Sequence, residues 1–205
     1  IPCVVNYSSS SMLRMYNYSM LSLNIFSEDL SKEYICENEK VELRCDIFNG
    51  EAKVYDDMEI KLDFSVPLAD LVVIPSNGTY DYETSIWTID TLGIGRHENI
   101  SISFNASEDV NIRFDCGSDS ISASFNVLGT PVIGTLQTPE PVCEGANLCA
   151  TVPEIQQKDD VTDVIWHLDD ELIDLGAVLI KENNGSELQC EVVNKCGSTM
   201  SNKVQ

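Results

Sequence analysis

Apolar and polar residues alternate along most of the chain. The clearest runs are Val41, Leu43, Cys45 and Ile47; Met58, Ile60, Leu62, Phe64 and Val66; Ile100, Ile102 and Phe104; Val110, Ile112 and Phe114; and Ile121, Ala123, Phe125 and Val127. Strict alternation places one face of a strand in a core and the other in water, which is typical of antiparallel sheets. Turn signals such as Asn49-Gly50 separate the runs. We therefore predict an all-β chain of antiparallel β-sandwiches.

A break near Gly129-Thr130-Pro131 divides this pattern in two. One strand ends at Leu128, and a new pattern containing cysteine starts at Cys143. The length of 205 residues allows two small domains. We predict two tandem antiparallel β-sandwich domains, at residues 1–129 and 130–205, of which residues 1–33 have the least readable pattern.

Eight cysteines indicate disulfides and therefore an oxidising, extracellular or cell-surface location. They are Cys3, Cys36, Cys45, Cys116, Cys143, Cys149, Cys190 and Cys196, and none forms a C-x-x-C motif. Each predicted domain has a cysteine near its first core strand and another at its last hairpin, so we predict the equivalent bonds Cys36–Cys116 and Cys143–Cys196. The remaining bonds would be Cys3–Cys45 and Cys149–Cys190.

The bond from Cys149 to Cys190 has an alternative. Trp166 lies between these cysteines, as the Ig pattern requires, and Cys190 is in phase with the apolar face of its strand. Cys149 is out of phase with its neighbours, which a β-bulge could correct. Otherwise we expect Cys143–Cys190 with Cys149–Cys196.

The charge excludes several partners. Twelve basic and 34 acidic residues give a formal net charge of −22. This charge repels nucleic-acid phosphates and disfavours anionic membrane surfaces. No apolar run reaches the roughly 18 residues that a membrane-spanning helix needs. The chain begins at Ile1 without a signal peptide, so we expect a processed chain or part of a longer one.

No residue pattern indicates catalysis. Gly93-Ile94-Gly95-Arg96 lacks a third glycine and a following helix, so it predicts a β-turn rather than a phosphate loop. His97-Glu98 lacks the second histidine of a zinc protease, and no G-x-S-x-G motif occurs. His167 follows Trp166 on a strand, so we expect it on the opposite, solvated face. We predict no enzyme activity and no catalytic, cofactor-binding or metal-binding residues.

Three acidic clusters are candidate calcium sites, because loop carboxylates bind Ca²⁺. They are Asp56, Asp57 and Glu59; Asp159, Asp160 and Asp163; and Asp169, Asp170 and Glu171. None has the spacing of a known calcium loop, so solvated hairpin tips are the favoured interpretation. Asp169-Asp170 lies where a turn between two strands is expected.

Aromatic residues and sequons bear on binding. Trp87 and Trp166 are in core phase, so we expect structural roles rather than sugar stacking. Tyr55, Tyr80 and Tyr82 are better candidates for exposure, although no pattern groups them on one face. N-x-S/T sequons begin at Asn6, Asn17, Asn77, Asn99, Asn105 and Asn184. We interpret them as chance products of a chain rich in Asn and Ser.

Two family resemblances add to this interpretation. The segment from Gly78-Thr79-Tyr80-Asp81 through Trp87 to Gly95 resembles the conserved-repeat β-sandwich module of bacterial surface proteins, which reads G-x-Y-D-x-x-T-G-x-W-x-I-G-x-L. Ser85 and Asp90 stand where that module has glycine, and the resemblance covers residues 34–128. The segments Val142-Cys143-Glu144-Gly145 and Cys190 to Gly197 are similar to Ig-like modules of Bacteroidetes surface and secreted proteins, over residues 131–205.

The resemblances imply non-enzymatic spacers or adhesive units. We therefore expect a structural or adhesive segment of a bacterial cell-surface protein that interacts with surface proteins or glycans. The alternative is a carbohydrate-binding module, which an exposed row of aromatic residues would favour. A third interpretation is a eukaryotic Ig-type receptor ectodomain, which occupied sequons would favour.

Overall fold

The computed structural model describes residues 4–5, 21–117, 119–137, 145, 150–156, 160–174 and 185–205. Regular structure in these residues is almost entirely strand, with one short 3-10 helix at Asp29–Ser31. This confirms the predicted all-β class with antiparallel sheets. The chain forms two compact units, Ile1–Leu128 and Gly129–Gln205, here called unit 1 and unit 2.

Unit 1 contains two five-stranded sheets. The first has the order β1 (Val4–Val5), β2 (Leu21–Phe26), β4 (Lys40–Asn49), β9 (His97–Asn105) and β6 (Ala69–Pro75). The second has the order β11 (Asp119–Phe125), β10 (Val110–Cys116), β5 (Tyr55–Phe64), β8 (Ile86–Leu92) and β7 (Thr79–Asp81). A separate parallel pair joins β3 (Ile35–Cys36) to β12 (Val127–Leu128). Within the five-stranded sheets, neighbouring strands are antiparallel except β1 and β2.

The alternating sequence pattern accounts for the core of unit 1. Along β4, Val41, Leu43, Cys45 and Ile47 are buried, while Glu42 and Arg44 between them are exposed. The inner faces of both sheets contribute to one apolar cluster. Phe104 of β9 and Phe125 of β11 meet edge to face across it, with ring centroids 6.0 Å apart. Unit 1 is therefore a β-sandwich whose sheets share one core.

Unit 2 has a smaller described core. Its four-stranded antiparallel sheet has the order β16 (Glu171–Ile173), β15 (Val161–Leu168), β17 (Leu188–Asn194) and β18 (Gly197–Met200). A two-residue pair, β13 (Val132–Ile133) with β14 (Ile155–Gln156), packs against the same core. Trp166 lies opposite Cys190 in the β15–β17 register, and both are buried. The prediction that Trp166 and Cys190 face the core is therefore confirmed.

The cysteines differ from the predicted pairings. Cys36 and Cys196 each take part in a disulfide, whereas Cys45, Cys116 and Cys190 are buried thiols. The pairs Cys36–Cys116, Cys3–Cys45 and Cys149–Cys190 are therefore wrong, as is the alternative Cys143–Cys190, because each of them needs one of these three thiols. The pairs Cys143–Cys196 and Cys149–Cys196 stay predictions. Cys3, Cys143 and Cys149 lie outside the described residues.

The reason lies in the placement of the strands. The predicted bond Cys36–Cys116 requires these two cysteines to join the two sheets of one sandwich. Instead, Cys36 lies in β3 beside Leu128, outside both five-stranded sheets, while Cys116 ends β10 at a hairpin, opposite Asp119. Sequence phase correctly placed Cys45 and Cys190 inside, but phase gives the direction of a side chain and not its distance from another sulfur.

Candidate interaction surfaces

The first two acidic clusters do not form a site in the described structure. Asp56, Asp57 and Glu59 lie along β5 rather than at a loop, and Asp56 accepts a hydrogen bond from the Thr91 hydroxyl at 2.9 Å. Asp159 of the second cluster is outside the described residues. Across the part of the chain that the structure describes, no group of three or more His, Cys, Asp or Glu residues is arranged to hold a metal ion.

The third acidic cluster forms the hairpin tip between β15 and β16, as predicted. Asp169 and Asp170 have φ angles of 50° and 66°. The Asp169 carboxylate accepts hydrogen bonds from the Ser186 hydroxyl at 2.6 Å and the Glu187 N–H at 2.8 Å. These two bonds lower the pKa of Asp169. Lys203 Nζ lies 2.9 Å from Asp170 and 3.2 Å from Glu187, so the tip is fastened to the end of the chain.

The two histidines are bound to structural neighbours. His97 stacks on Phe48, with ring centroids 4.4 Å apart. His167 Nε2 lies 3.1 Å from Glu191 Oε2, and only 16% of its side chain is exposed. The prediction of a solvated His167 is therefore wrong, because Glu191, diagonally across the β15–β17 pair, covers it. Hydrogen bonds from Ser198 and His167 lower the pKa of Glu191.

Both tryptophans have the structural positions predicted for them. Trp87 is fully buried, and its indole N–H donates to the Asn77 carbonyl at 2.9 Å. The next residue, Gly78, has a φ of +79°, a left-handed conformation that glycine adopts readily. A Cβ at Gly78 would lie 1.8 Å from the Thr88 carbonyl oxygen, so only glycine fits. Trp166 is 4% exposed.

The turn between β7 and β8 explains the motif around Asp81. Its carboxylate accepts hydrogen bonds from the Glu83 N–H at 2.8 Å and the Thr84 hydroxyl at 2.9 Å, so Asp81 caps this turn. These bonds lower the pKa of Asp81. Ser85, which stands where the resembled module has glycine, has a φ of +57°. The position thus retains the backbone conformation that favours glycine.

Two tyrosines that no sequence pattern grouped lie together. Tyr80 and Tyr82 meet edge to face, with ring centroids 4.9 Å apart. The Tyr82 hydroxyl accepts from the Val73 N–H at 3.1 Å and lies 3.5 Å from the Val73 carbonyl, on the outer side of edge strand β6. Tyr55 lies elsewhere, beneath the Lys53 ammonium and donating to Glu51.

Asn49 has a role that the sequence analysis missed. It is fully buried, and its amide N–H₂ donates to the carbonyls of Lys53 at 2.7 Å and Leu92 at 3.0 Å. Its amide oxygen accepts from the Glu51 N–H at 3.0 Å. The side chain therefore ties together the loop after β4 and the end of β8. The only signal was its position before Gly50, which predicts a turn but not distant partners.

The sequons have mixed environments. The Asn77 amide donates to the Thr91 carbonyl at 3.1 Å and to Glu98 at 3.3 Å, and the Asn105 amide donates to Asp70 at 2.7 Å. Asn99 is half-buried on β9. Asn6, Asn17 and Asn184 lie outside the described residues. Glycan attachment at Asn77 or Asn105 would replace amide hydrogen bonds made within the fold.

Three surface grooves are candidates for binding. The serine groove, of about 590 Å³, lies on the outer face of the first sheet. Ser101 and Ser103 form its floor, between Arg44 on one side and Val72 and Ile74 on the other. Arg44 lies 5.3 Å from the centre of the Phe26 ring. Both cations that line the groove already form ion pairs, Lys40 with Glu42 and Arg44 with Asp46.

The tyrosine groove, of about 470 Å³, contains Tyr80 and Tyr82 beside the apolar residues Leu68 and Leu71. The leucine groove, of about 580 Å³, lies in unit 2. It is lined by Val152, Asp163, Val164, Ile165, Trp166, Leu172, Ile173 and Asp174. Leu172 is 75% exposed there.

Comparison with known proteins gives structural likeness alone. No protein-family model matches the chain, and no curated protein matches it. It is similar to a three-Ig-domain structure of titin, at 15% identity and a TM-score of 0.43, covering 89% of this chain and 64% of that one. It is also similar to the eight N-terminal Ig domains of Down Syndrome Cell Adhesion Molecule, at 11% identity and a TM-score of 0.31, covering 90% of this chain and 27% of that one.

A second titin structure matches at 11% identity and a TM-score of 0.29, covering 86% of this chain and 95% of that one. The chain thus spans less than two thirds of the first two structures. Among the described residues, no helix is long and apolar enough to cross a membrane.

Proposed function

We propose that this chain is a non-enzymatic structural and adhesive segment of a secreted or cell-surface protein, acting as a spacer or protein-interaction module. The observation that carries the proposal is how the polar groups are used. The carboxylates of Asp81 and Asp169 cap turns, and the amide of Asn49 joins two loops. These carboxylate and amide side chains, which could take part in a reaction elsewhere, here fix the conformation of turns and loops.

A bacterial surface origin rests on the conserved-repeat motif around Trp87. The geometry of that motif suits the module it resembles, since Gly78 before β7 and Ser85 before β8 both have left-handed backbone conformations. An extracellular location is favoured by the disulfide-bonded Cys36 and Cys196. The acidic surface would keep neighbouring copies soluble and apart.

Mechanical unfolding tests the spacer role. The chain is tethered by its two ends and stretched in an atomic force microscope, with a reducing agent present so that no disulfide limits extension. We expect one abrupt unfolding event for each unit. At about 3.6 Å per residue, the 77 residues of unit 2 would release a contour length of roughly 28 nm. Gradual extension without discrete events would contradict a stiff spacer.

A carbohydrate-binding module is the second candidate, and the Tyr80–Tyr82 pair favours it. An exposed aromatic ring offers a flat apolar surface of the kind that sugar rings stack on, and Tyr82 is 57% exposed. A glycan array probed with the wild type and with Tyr82→Ala decides between the candidates. Signals lost in Tyr82→Ala but kept in the matched variant Tyr55→Ala would support carbohydrate binding, whereas an array without signals would exclude it for the glycans displayed.

A further inference from the structure

We propose that the leucine groove of unit 2 is a docking surface for a partner segment that presents apolar side chains flanked by lysine or arginine. This inference rests on the proposed function as an interaction module and names the surface and the chemistry of the partner. The groove is the described place where exposed apolar residues and carboxylates without any cation come together.

The apolar part of the groove is open to solvent. Leu172 is 75% exposed and Val152 39% exposed, and between them lie half-buried Ile165 and Ile173. Trp166 forms part of the wall, so a side chain entering the groove would contact the edge of the unit 2 core. Covering such a surface removes apolar area from water, which favours association.

The groove lies beside the described pairing of β15 with β16. β16 pairs with β15 at Leu168, His167 and Trp166. The groove residues Asp163, Val164 and Ile165 precede this stretch on β15. Asp163 accepts the Val164 N–H at 2.8 Å, and its carboxylate remains exposed at the rim.

The charges of the lining select the partner. Asp163 and Asp174 are its only charged residues, both are exposed, and among the described residues neither forms an ion pair. Lys203, the cation at the hairpin tip, is held by Asp170 and Glu187. The serine groove differs, because its own cations are matched by carboxylates. A net charge of −22 adds long-range attraction for a basic partner.

A second copy of this chain is a poorer occupant. A two-fold interface places the same patch on both subunits. It would bring the carboxylates of Asp163 and Asp174 in one copy toward those of the other without a compensating cation, and like charges at an interface disfavour association. A basic, apolar segment satisfies both features of the groove.

The test uses the full chain and three fluorescein-labelled peptides measured by fluorescence anisotropy at about 0.15 M salt. The probe alternates lysine and leucine over five residues, and the control peptides replace lysine by glutamate or leucine by serine. We expect binding of the Lys-Leu peptide alone. Leu172→Ser and the double variant Asp163→Asn/Asp174→Asn should each weaken it at least tenfold.

Matched variants separate a docked peptide from diffuse attraction. Ile94→Ser removes a comparably exposed apolar side chain from unit 1, and Glu59→Gln/Asp90→Asn removes the same charge from exposed positions. We expect both to bind within twofold of the wild type. Equal weakening by these variants, or equal binding of the Lys-Ser peptide, would overturn the proposal.

Two further measurements complete the test. Leu172→Ser should leave the thermal midpoint within about 1 °C of the wild type, since an exposed side chain contributes little to stability; a fall of several degrees would show that Leu172 is packed within the chain. Sedimentation that reveals a dimer weakened by Leu172→Ser would assign the groove to a second copy instead. Neither result alters the stretching experiment, so failure of the docking surface is distinguishable from failure of the spacer role.

Discussion

Units 1 and 2 both place a tryptophan on a central strand, but they enclose it differently. Trp87 is fully buried in a core of 24 described apolar residues, most of which come from two five-stranded sheets. Trp166 is 4% exposed, belongs to a core of six described apolar residues and also lines the leucine groove. The tryptophan of unit 1 is thus enclosed between two sheets, whereas the tryptophan of unit 2 lies where a groove reaches the described core.

The largest effect expected concerns these tryptophans. Trp87→Ala should lower the free energy of unfolding of unit 1 by about 3–5 kcal/mol, because it leaves a cavity that two sheets cannot collapse around. Trp166→Ala should cost less, about 3 kcal/mol, since its surroundings open to a groove. Hydrogen exchange with mass spectrometry at increasing urea resolves each unit. An equal or larger loss for Trp166→Ala would contradict the comparison.

Buried asparagines provide the next comparison. Asn49→Ala should destabilise unit 1 by about 2–3 kcal/mol, because several buried backbone groups lose their partner. Asn194 is 6% exposed and makes two such bonds, to the Gly129 carbonyl and from the Cys196 N–H, so Asn194→Ala should cost about 1–2 kcal/mol.

The chain contains one tryptophan in each unit, so fluorescence during urea unfolding reports each unit separately. Asn24→Ala is the control. Asn24 is half-buried on β2, and its side chain forms no hydrogen bond with another described residue, so we expect a change within about 0.5 kcal/mol. If Asn24→Ala lowers the free energy of unfolding as much as Asn49→Ala does, the hydrogen bonds by which Asn49 joins two loops contribute little to stability.

Substituting glycine for residues with left-handed backbone conformations compares the two units through a gain in stability rather than a loss. Ser85→Gly should stabilise unit 1 by about 0.5–1 kcal/mol, because it relieves a positive φ. Asp170→Gly in unit 2 should change stability by less than about 0.5 kcal/mol, since aspartate tolerates this conformation and the Lys203 contact is lost. Thermal unfolding measures both. Ser85→Ala keeps a Cβ, so a matching gain in that variant would refute the strain argument.

The smallest effects concern pH. The pKa values of Asp81 and Asp169 are lowered in the folded chain. Their stabilisation is therefore present above the unfolded pKa, about 3.9, and is lost as pH falls through the folded pKa. Asp81→Asn and Asp169→Asn should lower the thermal midpoint slightly at neutral pH, and the difference from the wild type should disappear near about pH 2. A difference that persists there would have another cause.

The sequence pattern predicts those features that depend on residues close together along the chain. The inward positions of β4, the burial of Trp87 and the cap by Asp81 all follow from residues a few positions apart. The partners of Asn49, the Tyr80–Tyr82 contact and the cover of His167 by Glu191 depend on which strands become neighbours. That information is not contained in a period of two residues.

The disulfides show the same limit. The alternation of apolar residues correctly predicts that Cys45 and Cys190 point into the core, yet neither sulfur is oxidised. A disulfide requires two sulfur atoms at bonding distance, and the similarity between the two halves of the sequence does not give that distance. The leucine groove also could not be predicted from the sequence pattern, since its lining joins Val152 to residues of β15 and β16 that are distant along the chain.

Three features of edge strand β6 oppose pairing with a strand of another molecule. The backbone of Val73 is already engaged by the Tyr82 hydroxyl, Asp70 has a φ of +53° beside a break in register, and Pro75 closes the strand without an N–H. A β-strand of another molecule therefore cannot form a continuous ladder of backbone hydrogen bonds with β6. At high protein concentration, this edge would be protected from edge-to-edge aggregation into fibrils.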